Sequence, residues 1–495
     1  MAKGSQFDVI VVGAGFGGSA CAGLLAKRGL KVALIEKNAK AGGKATAFSK
    51  NGFTYTPWVV ITAPIIDNSF ERVLNELGMG DRVELVTPDA SGGAIFKNSK
   101  GKYVPMPPMP ADNAVMDPNL IFDWLEIPEA EREAALIALT EITLMSPEDI
   151  DKQDNISFDE FLAKYNLPKA AYGYLVGSIH DACFVAPVDA VAASEGIQVL
   201  QSIFLRSGGL FAKGGIGRVA ETFAQAVVEN GGKYVTRAKV EKILVSDGKV
   251  TGVATNKGTF NAPIVVSNVG IQPTALKLVG EEHFDHSYIT YVKDLVPSLG
   301  LPGVRYFLDK KVIEQPFGTI FSADSYWTLE RFNKAASGEM PEDIAVLYEV
   351  PSNYDDTAAP DGKQIVLVSV WGPADGMSTA RDMKPWWDKC DEIMFKVFPE
   401  MPKHIERREP YSSKDVSVLT RDKVLPNQGG ECIGLGQTVG QGGGQKPAVK
   451  APIQGLFFVG CDAGGYGVGT QQATDSGINV ANVVQRYHLM HTAMT

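Results

Sequence analysis

The stretch that decides the fold of this chain reads VIVVGAGFGGSACAGLLAKRGLKVALIE and runs from Val9 to Glu36. Val9–Val12 is a short β-branched run, which favours a buried strand. Glycines follow, and Ser19–Arg28 then has the small, apolar composition of a packed helix. Lys31–Ile35 is a second apolar run that ends in the acid Glu36. Strand, glycine turn, helix, strand and acid in this order predict a βαβ unit that binds a dinucleotide.

Each glycine of the turn has its own expected role. Gly13 allows the tight turn after the strand, Gly15 lets the backbone approach a pyrophosphate, and Gly18 lets the helix pack on the sheet. The free N–H groups at the helix N-terminus are expected to bind the phosphates. Glu36 has the spacing of an acid that binds a ribose hydroxyl. Because a chain with 52 glycines produces chance matches, the flanking strand, helix and acid carry this prediction.

Two more glycine-rich stretches predict that the dinucleotide is FAD. Gly42-Gly43-Lys44 follows the acid closely, as in many FAD enzymes. Far along the chain, a strand-like run ends at Gly460, and Asp462 behind it is expected to hold the ribitol chain. A helix then runs to about Tyr487, and its N-terminus would stabilise negative charge on the reduced flavin ring. The residues predicted in this way to bind FAD are Gly13, Gly15, Phe16, Gly17, Gly18, Glu36, Lys37, Gly42, Gly43, Lys44, Gly460, Asp462, Gly469, Thr470 and Gln471.

Composition limits the classes of protein to consider. The chain has 495 residues, 45% of them hydrophobic, and a net charge of −10. These values predict a folded protein of two or three structural units, and the negative charge argues against binding to nucleic acid. The cysteines form no CxxC pair and the histidines no ligand pattern, so neither disulfides nor a metal site is predicted. No membrane-spanning run or signal peptide is recognised, so the expected location is cytoplasmic.

The nucleotide-binding stretches lie far apart in the chain, which predicts an interrupted domain. A third piece is expected around 213–267, where a glycine motif, a helix and hairpin strands with an Asp247-Gly248 turn follow one another. The predicted fold class is α/β, with a discontinuous Rossmann-type FAD-binding domain and an α+β substrate domain of mixed sheet and covering helices. The expected boundaries are 1–90, 206–274 and 421–495 for the FAD-binding domain, and 91–205 and 275–420 for the substrate domain. The sequence contains no second dinucleotide-binding fingerprint, so a separate NAD(P)H-binding domain is not predicted.

Several stretches match the pattern of one known family: the N-terminal unit through Gly43, Gly52–Tyr55, Ile61–Pro64, 213–217, Val265–Asn268, Pro351–Asp356 and Ala359–Lys363. Over nearly its whole length the chain resembles the phytoene desaturase family of FAD-dependent carotenoid and retinoid oxidoreductases. The resemblance implies that Val240 contacts the adenine through its backbone, and that Lys44 replaces the usual arginine after Gly-Gly. The chain departs from the family at Thr56-Pro57-Trp58-Val59, which implies a reshaped substrate pocket near the flavin.

The resemblance implies an oxidoreductase that acts on a C–C (CH–CH) bond of an apolar, isoprenoid-like or alicyclic substrate, with hydride transfer to or from flavin N5. Three alternatives stay open: a redox-neutral isomerase of a polyene, a flavin amine oxidase, and a non-catalytic flavoprotein that binds an apolar ligand. No catalytic base is assigned; His180 and Asp181, in an apolar helix, are candidates, with a structural pair as the alternative. The expected partners are an apolar small molecule and an electron acceptor (a quinone, oxygen or a carrier protein). Peripheral membrane contact through 120–205 is a further hypothesis.

Overall fold

The computed structural model describes residues 6–62, 68–89, 91–108, 117–181, 186–205 and 209–492. Its strands are β1 (Val9–Val12), β2 (Val32–Ile35), β3 (Phe48–Lys50), β4 (Phe53–Tyr55), β5 (Leu85–Val86), β6 (Ala94–Lys97), β7 (Tyr103–Pro105), β8 (Phe211–Ala212), β9 (Lys233–Val235), β10 (Val240–Ser246), β11 (Lys249–Thr255), β12 (Gly258–Asn261), β13 (Ile264–Ser267), β14 (Gly303–Leu308), β15 (Phe317–Ser322), β16 (Val346–Glu349), β17 (Gln364–Ser369), β18 (Ile405–Tyr411) and β19 (Leu456–Phe458). Its helices are α1 (Phe16–Lys27), α2 (Ser69–Leu77), α3 (Pro118–Trp124), α4 (Arg132–Leu144), α5 (Pro147–Asp151), α6 (Phe158–Ala163), α7 (Lys169–Asp181), α8 (Ala193–Leu205), α9 (Gly217–Glu229), α10 (Ile271–Pro273), α11 (His286–Asp294), α12 (Leu329–Ala336), α13 (Ala380–Val397), α14 (Ser413–Leu419) and α15 (Gly469–Thr492).

A parallel sheet with the strand order β19-β13-β1-β2-β9 brings together segments from both ends of the chain. All four residues of β1 are buried, as expected for a strand that is covered on both faces. On one face, apolar residues of α1, α9 and α15 form the core with the sheet. On the other face, the antiparallel layer β10-β11-β12 packs through Ile243 and Val253. The predicted turn of this layer has positive φ angles at Asp247 (52°) and Gly248 (73°), which suit a tight hairpin.

The second large sheet is mixed and has the order β18-β14-β17-β16-β15-β6-β7. Its neighbouring strands are antiparallel except for the parallel pair β15 and β6. Helix α13 covers one part of this sheet through Met383 and Trp386. Residues of α3 to α8 form a separate apolar cluster with Phe96 and Phe321 of β6 and β15. The predicted fold class is therefore confirmed, while the exact domain boundaries stay predictions.

Helix α1 begins at Phe16 and not at Ser19, because Gly17 and Gly18 belong to its first turn. A Cβ atom on Gly17 would lie 2.8 Å from the Ala473 carbonyl oxygen, and one on Gly18 would lie 2.1 Å from the Gly13 carbonyl oxygen. These glycines therefore allow the close approach of α1 to its neighbours. Among the described residues, no helix combines the length and the apolar composition that crossing a bilayer requires.

Candidate functional site

A large cavity opens where the parallel strands end. With its mouth included it encloses about 1780 Å³, and residues directly after β1, β2, β13 and β19 line it. Ligands of open parallel sheets bind at this edge. The wall contains most of the residues predicted to bind FAD, namely Gly13, Gly15, Phe16, Glu36, Lys37, Gly42, Gly43, Lys44, Val240, Gly460, Asp462, Gly469 and Thr470. Stretches that are distant in sequence therefore meet in one site.

The backbone at the start of α1 forms a cradle that side chains would fill. Gly13 has a φ of 91°, which favours glycine. A Cβ atom on Gly15 would lie 2.7 Å from Nδ2 of Asn268, and one on Gly43 would lie 3.1 Å from the Cα atom of Gly15. The first-turn N–H groups of a helix lack intrahelical partners and attract anions. This glycine cradle therefore fits the pyrophosphate of a dinucleotide.

Glu36 braces the turn from the end of β2. Its side chain is only 4% exposed, and its carboxylate accepts hydrogen bonds from the backbone N–H groups of Ala14 and Asn38, both at 2.7 Å. Burial raises the pKa of this carboxyl group, and the two backbone hydrogen bonds oppose that shift. Val240 and Lys37 also line the cavity.

A buried network of charges borders the cavity at the other glycine turn. The Asp462 carboxylate accepts hydrogen bonds from the backbone N–H groups of Ile271 and Leu435 at 2.9 and 3.0 Å. Nη1 of Arg421 lies 3.6 Å from Oδ2 of Asp462, and Nε of Arg421 lies 3.4 Å from Oε2 of Glu431. Asp462 therefore joins segments that surround the cavity, a role that the sequence does not indicate.

Lys44 completes this network from the Gly-Gly stretch. Its Nζ donates a hydrogen bond of 2.5 Å to the backbone carbonyl oxygen of Glu431. Burial lowers the pKa of Lys44, and the positive charge of Arg421 lowers it further. The Gly42-Gly43-Lys44 stretch thus places a half-buried amine in the cavity wall.

Apolar side chains form another part of the cavity wall, which we call the apolar wall: Trp58, Val59, Val60, Ile61, Leu301, Leu347, Trp371, Ile433 and Val468. Leu301, Leu347 and Trp371 belong to the core of the seven-stranded sheet, so this sheet supplies one side of the cavity. Trp58 and Val59, from the stretch in which the sequence departs from the family pattern, lie in this wall. Trp327, in contrast, packs in the core against Trp386 and Phe332.

Glu349 lies behind the apolar wall and was not singled out by the sequence. It is 2% exposed, on the same face of β16 as Leu347. Its carboxyl group accepts hydrogen bonds from the Tyr354 hydroxyl at 2.6 Å and from the Val60 backbone N–H at 2.9 Å. Burial raises its pKa to about 7. Only its position beside Pro351–Asp356, a stretch matched by the family, could have drawn attention to it.

Some predicted site residues lie elsewhere. Gly17 and Gly18 serve helix packing, and Gln471 lies outside the cavity wall, where its side-chain oxygen faces Ser69. His180 and Asp181 stand at the end of α7, but their side chains lie outside the described residues. Asn268 and Arg421 were not predicted site residues; Asn268 was signalled only as the last residue of a matched stretch.

The comparisons with known proteins agree with this geometry. The profile described as "Flavin containing amine oxidoreductase" matches residues 16–485. The chain belongs to this family. Its cofactor is therefore FAD, and the chain is an FAD-dependent oxidoreductase.

Several similar proteins carry the names of carotenoid or retinoid oxidoreductases, the class of enzyme that the sequence motifs suggest. All-trans-retinol 13,14-reductase of Homo sapiens is 23% identical over 514 residues, with 92% of this chain and 82% of that protein covered. 4,4'-diapophytoene desaturase of Methylomonas sp is 25% identical, with 79% of this chain and 77% of that protein covered. An oxidoreductase of Methanosarcina mazei shares the fold, with a TM-score of 0.69, 18% identity and coverage of 96% of this chain and 100% of that chain. The predicted resemblance to phytoene desaturases is confirmed.

Proposed function

We propose that this flavoprotein oxidises or reduces a C–C (CH–CH) bond of an apolar, isoprenoid-like or alicyclic substrate. One observation carries the proposal: a single cavity contains both the glycine cradle and the apolar wall with Trp58, Trp371 and Val468. Contact with such a wall removes an apolar substrate from water, and this transfer lowers its free energy. The names of the similar retinol reductase and diapophytoene desaturase support the same class of substrate.

We further propose that the residues predicted from the sequence and found in the cavity wall hold FAD. Gly15 and Gly43 would accommodate the pyrophosphate, Glu36 the ribose, and the backbone of Val240 the adenine. When bound, FAD supplies the two-electron chemistry, with a hydride exchanged at its N5 atom. Lys44 places a positive charge, or a neutral amine when deprotonated, in the wall close to Asp462.

The apolar wall has two tasks in this proposal. It excludes water from the reacting carbon atoms, and it orients a substrate that offers few polar groups for recognition. Val60 is fixed in this wall because its backbone N–H is bonded to Glu349. The stretch Trp58–Ile61 is therefore held against the sheet and can present a defined surface to the substrate.

An anaerobic titration tests the proposed function. The purified, FAD-loaded protein is mixed with all-trans-retinol, with other isoprenoid alkenes or with alicyclic compounds, and the loss of oxidised flavin absorbance is recorded. The reduced protein is treated in the same way, so that reduction of the substrate is detected as return of the absorbance. Benzylamine serves as the comparison compound. Flavin reduction by the amine, together with no response to any apolar compound in either direction, would show that the proposed substrate class is wrong.

A further inference from the structure

A second, polar cavity lies beside the cavity at the ends of the parallel strands, which we call the cofactor cavity because it is the proposed FAD site. With its mouth included it encloses about 720 Å³. Helix α8 lines it with Glu195, Gln198, Val199 and Ser202, which share one helical face. The remaining lining residues come from α2, from the segment before α15 and from α15 itself: Ser69, Arg72, Tyr466, Gly467, Val468, Gln471 and Asp475.

The two cavities share one residue of their walls. Val468 lines both, and the consecutive residues Thr470 and Gln471 line the cofactor cavity and the polar cavity, respectively. Adjacent Cα atoms are about 3.8 Å apart. The polar cavity therefore lies directly behind a part of the apolar wall.

Gln471 lines the polar cavity and carries a hydrogen-bond donor that lacks a partner. The Ser69 backbone N–H donates to Oε1 of Gln471 at 3.3 Å, and since an N–H group needs an acceptor, this bond fixes which end of the amide is oxygen. The other end, Nε2, has no hydrogen-bond partner, although Gln471 is only 1% exposed. A buried donor without a partner is unfavourable, so an acceptor atom of a molecule in the cavity would stabilise this N–H group.

The charges around the polar cavity are already compensated. The Glu195 carboxylate accepts hydrogen bonds from Gln437 at 2.8 Å and from the Gly443 backbone N–H at 2.7 Å, and Nζ of Lys446 lies 2.6 Å from it. Asp475 forms an ion pair of 3.3 Å with Arg72. A ligand that enters this cavity is therefore expected to be uncharged.

We propose that the polar cavity binds the hydroxyl or carbonyl oxygen of a neutral, otherwise apolar molecule through the side-chain N–H of Gln471. This inference rests on the proposed function, because it places that oxygen next to the cavity for apolar substrates. Two molecules present this chemistry: a substrate whose oxygen-bearing end passes Val468, and a separate neutral electron carrier such as a quinone.

Binding measurements on the FAD-loaded protein test the proposal without turnover. Farnesol and β-farnesene are used as a matched pair of isoprenoids with and without a hydroxyl group, and duroquinone is used as the carrier. Dissociation constants are measured by calorimetry for the wild type and for Gln471→Met, which removes the donor at similar volume. Gln198→Met makes the same change on the opposite wall and is the control.

The outcomes separate the two sources. If the oxygen belongs to the substrate, the wild type binds farnesol about tenfold more tightly than β-farnesene, and Gln471→Met abolishes this preference. If the oxygen belongs to the carrier, Gln471→Met weakens the binding of duroquinone about tenfold and leaves the preference for farnesol over β-farnesene unchanged. If Gln471→Met alters neither, or if Gln198→Met has the same effect, the proposal is overturned and water alone satisfies Nε2.

A second variant covers the case in which Gln471→Met does not fold. Ser202→Phe fills the cavity from α8 without changing Gln471, and it should weaken the same oxygen-bearing ligand by about tenfold. Retention of FAD is recorded for every variant from its visible absorbance. A protein that holds FAD and bleaches with apolar compounds, but shows no effect of either variant, retains the proposed function and loses this inference.

Discussion

The Asn268 side chain lies 2.7 Å from the place that a Cβ atom on Gly15 would occupy. Asn268 directly follows β13, so its side chain lies close to the glycine turn after β1, and both residues line the cavity at the ends of the parallel strands. Any side chain on Gly15 would collide both with Asn268 and with a pyrophosphate in the cradle, and these two effects can be separated by mutation.

Gly15→Ala should lower the affinity for FAD by at least tenfold, because the new methyl group occupies the approach of the pyrophosphate. In the double variant Gly15→Ala/Asn268→Ala the collision within the protein is relieved, so thermal stability should recover while FAD affinity stays low. Gly80→Ala is the control, since a Cβ atom there would meet only Asn75 at 3.5 Å. Recovery of FAD binding in the double variant would contradict the assignment of the cradle. Affinity is measured by titration of the flavin-free protein with FAD.

Glu36→Gln should also weaken the retention of FAD, by about tenfold. The glutamine keeps the size of the side chain but has only one acceptor oxygen, so it cannot accept from both Ala14 and Asn38. Flavin content after dialysis is compared with that of Glu76→Gln, which removes an exposed partner of Arg28. Equal flavin content in the two variants would refute the role of Glu36.

Trp58→Leu should raise the KM for an apolar substrate and leave FAD occupancy unchanged. Trp58 is 3% exposed and lines the cavity, whereas Trp124 is similarly buried at 6% and belongs to the cluster formed with α3 to α8. Both substitutions remove a large buried side chain and should lower stability by roughly 2–4 kcal/mol. Only Trp58→Leu should change the KM; the same change in Trp124→Leu would show that the effect is a general loss of stability.

Arg421→Met should destabilise the protein by roughly 3–5 kcal/mol, because it leaves the buried carboxylates of Asp462 and Glu431 without their cation. The matched variant Arg408→Met breaks a partly exposed pair with Asp391 and should lower stability by less than about 1 kcal/mol. Thermal unfolding of the two variants is compared at one scan rate. A similar shift for both would mean that the buried network contributes no more than a surface pair.

Glu349 makes the stability depend on pH in a direction that its burial determines. Its pKa is raised to about 7 in the folded protein, so its contribution to stability is complete below its unfolded pKa and is lost as the pH rises through about 7. The difference corresponds to about 3 kcal/mol. Glu349→Gln stays neutral at every pH. Its stability relative to the wild type should therefore rise between roughly pH 5 and pH 8, the range in which Glu349 ionises. A difference in melting temperature that does not change with pH would contradict the raised pKa.

The βαβ unit at the start of the chain could be predicted because its signals are local. Val9–Val12, the glycines and Glu36 follow one another within a single βαβ unit, and contacts such as the hydrogen bond from the Ala14 N–H to Glu36 lie inside that unit. The start of α1 was placed three residues late, since the reason for Gly17 lies in Ala473, far along the sequence.

The amino-acid sequence by itself determined the fold class, the FAD cofactor and the family resemblance, because strand periodicity, glycine conformation and motif spacing act over a few neighbouring residues. Only the tertiary structure decided that Asp462 pairs with Arg421, that Glu349 is buried behind Val60, and that Gln471 lines a second cavity. How deeply a polar side chain is buried, and which hydrogen-bond or charge partners it finds there, depend on which distant segments pack together. No local sequence pattern contains that information.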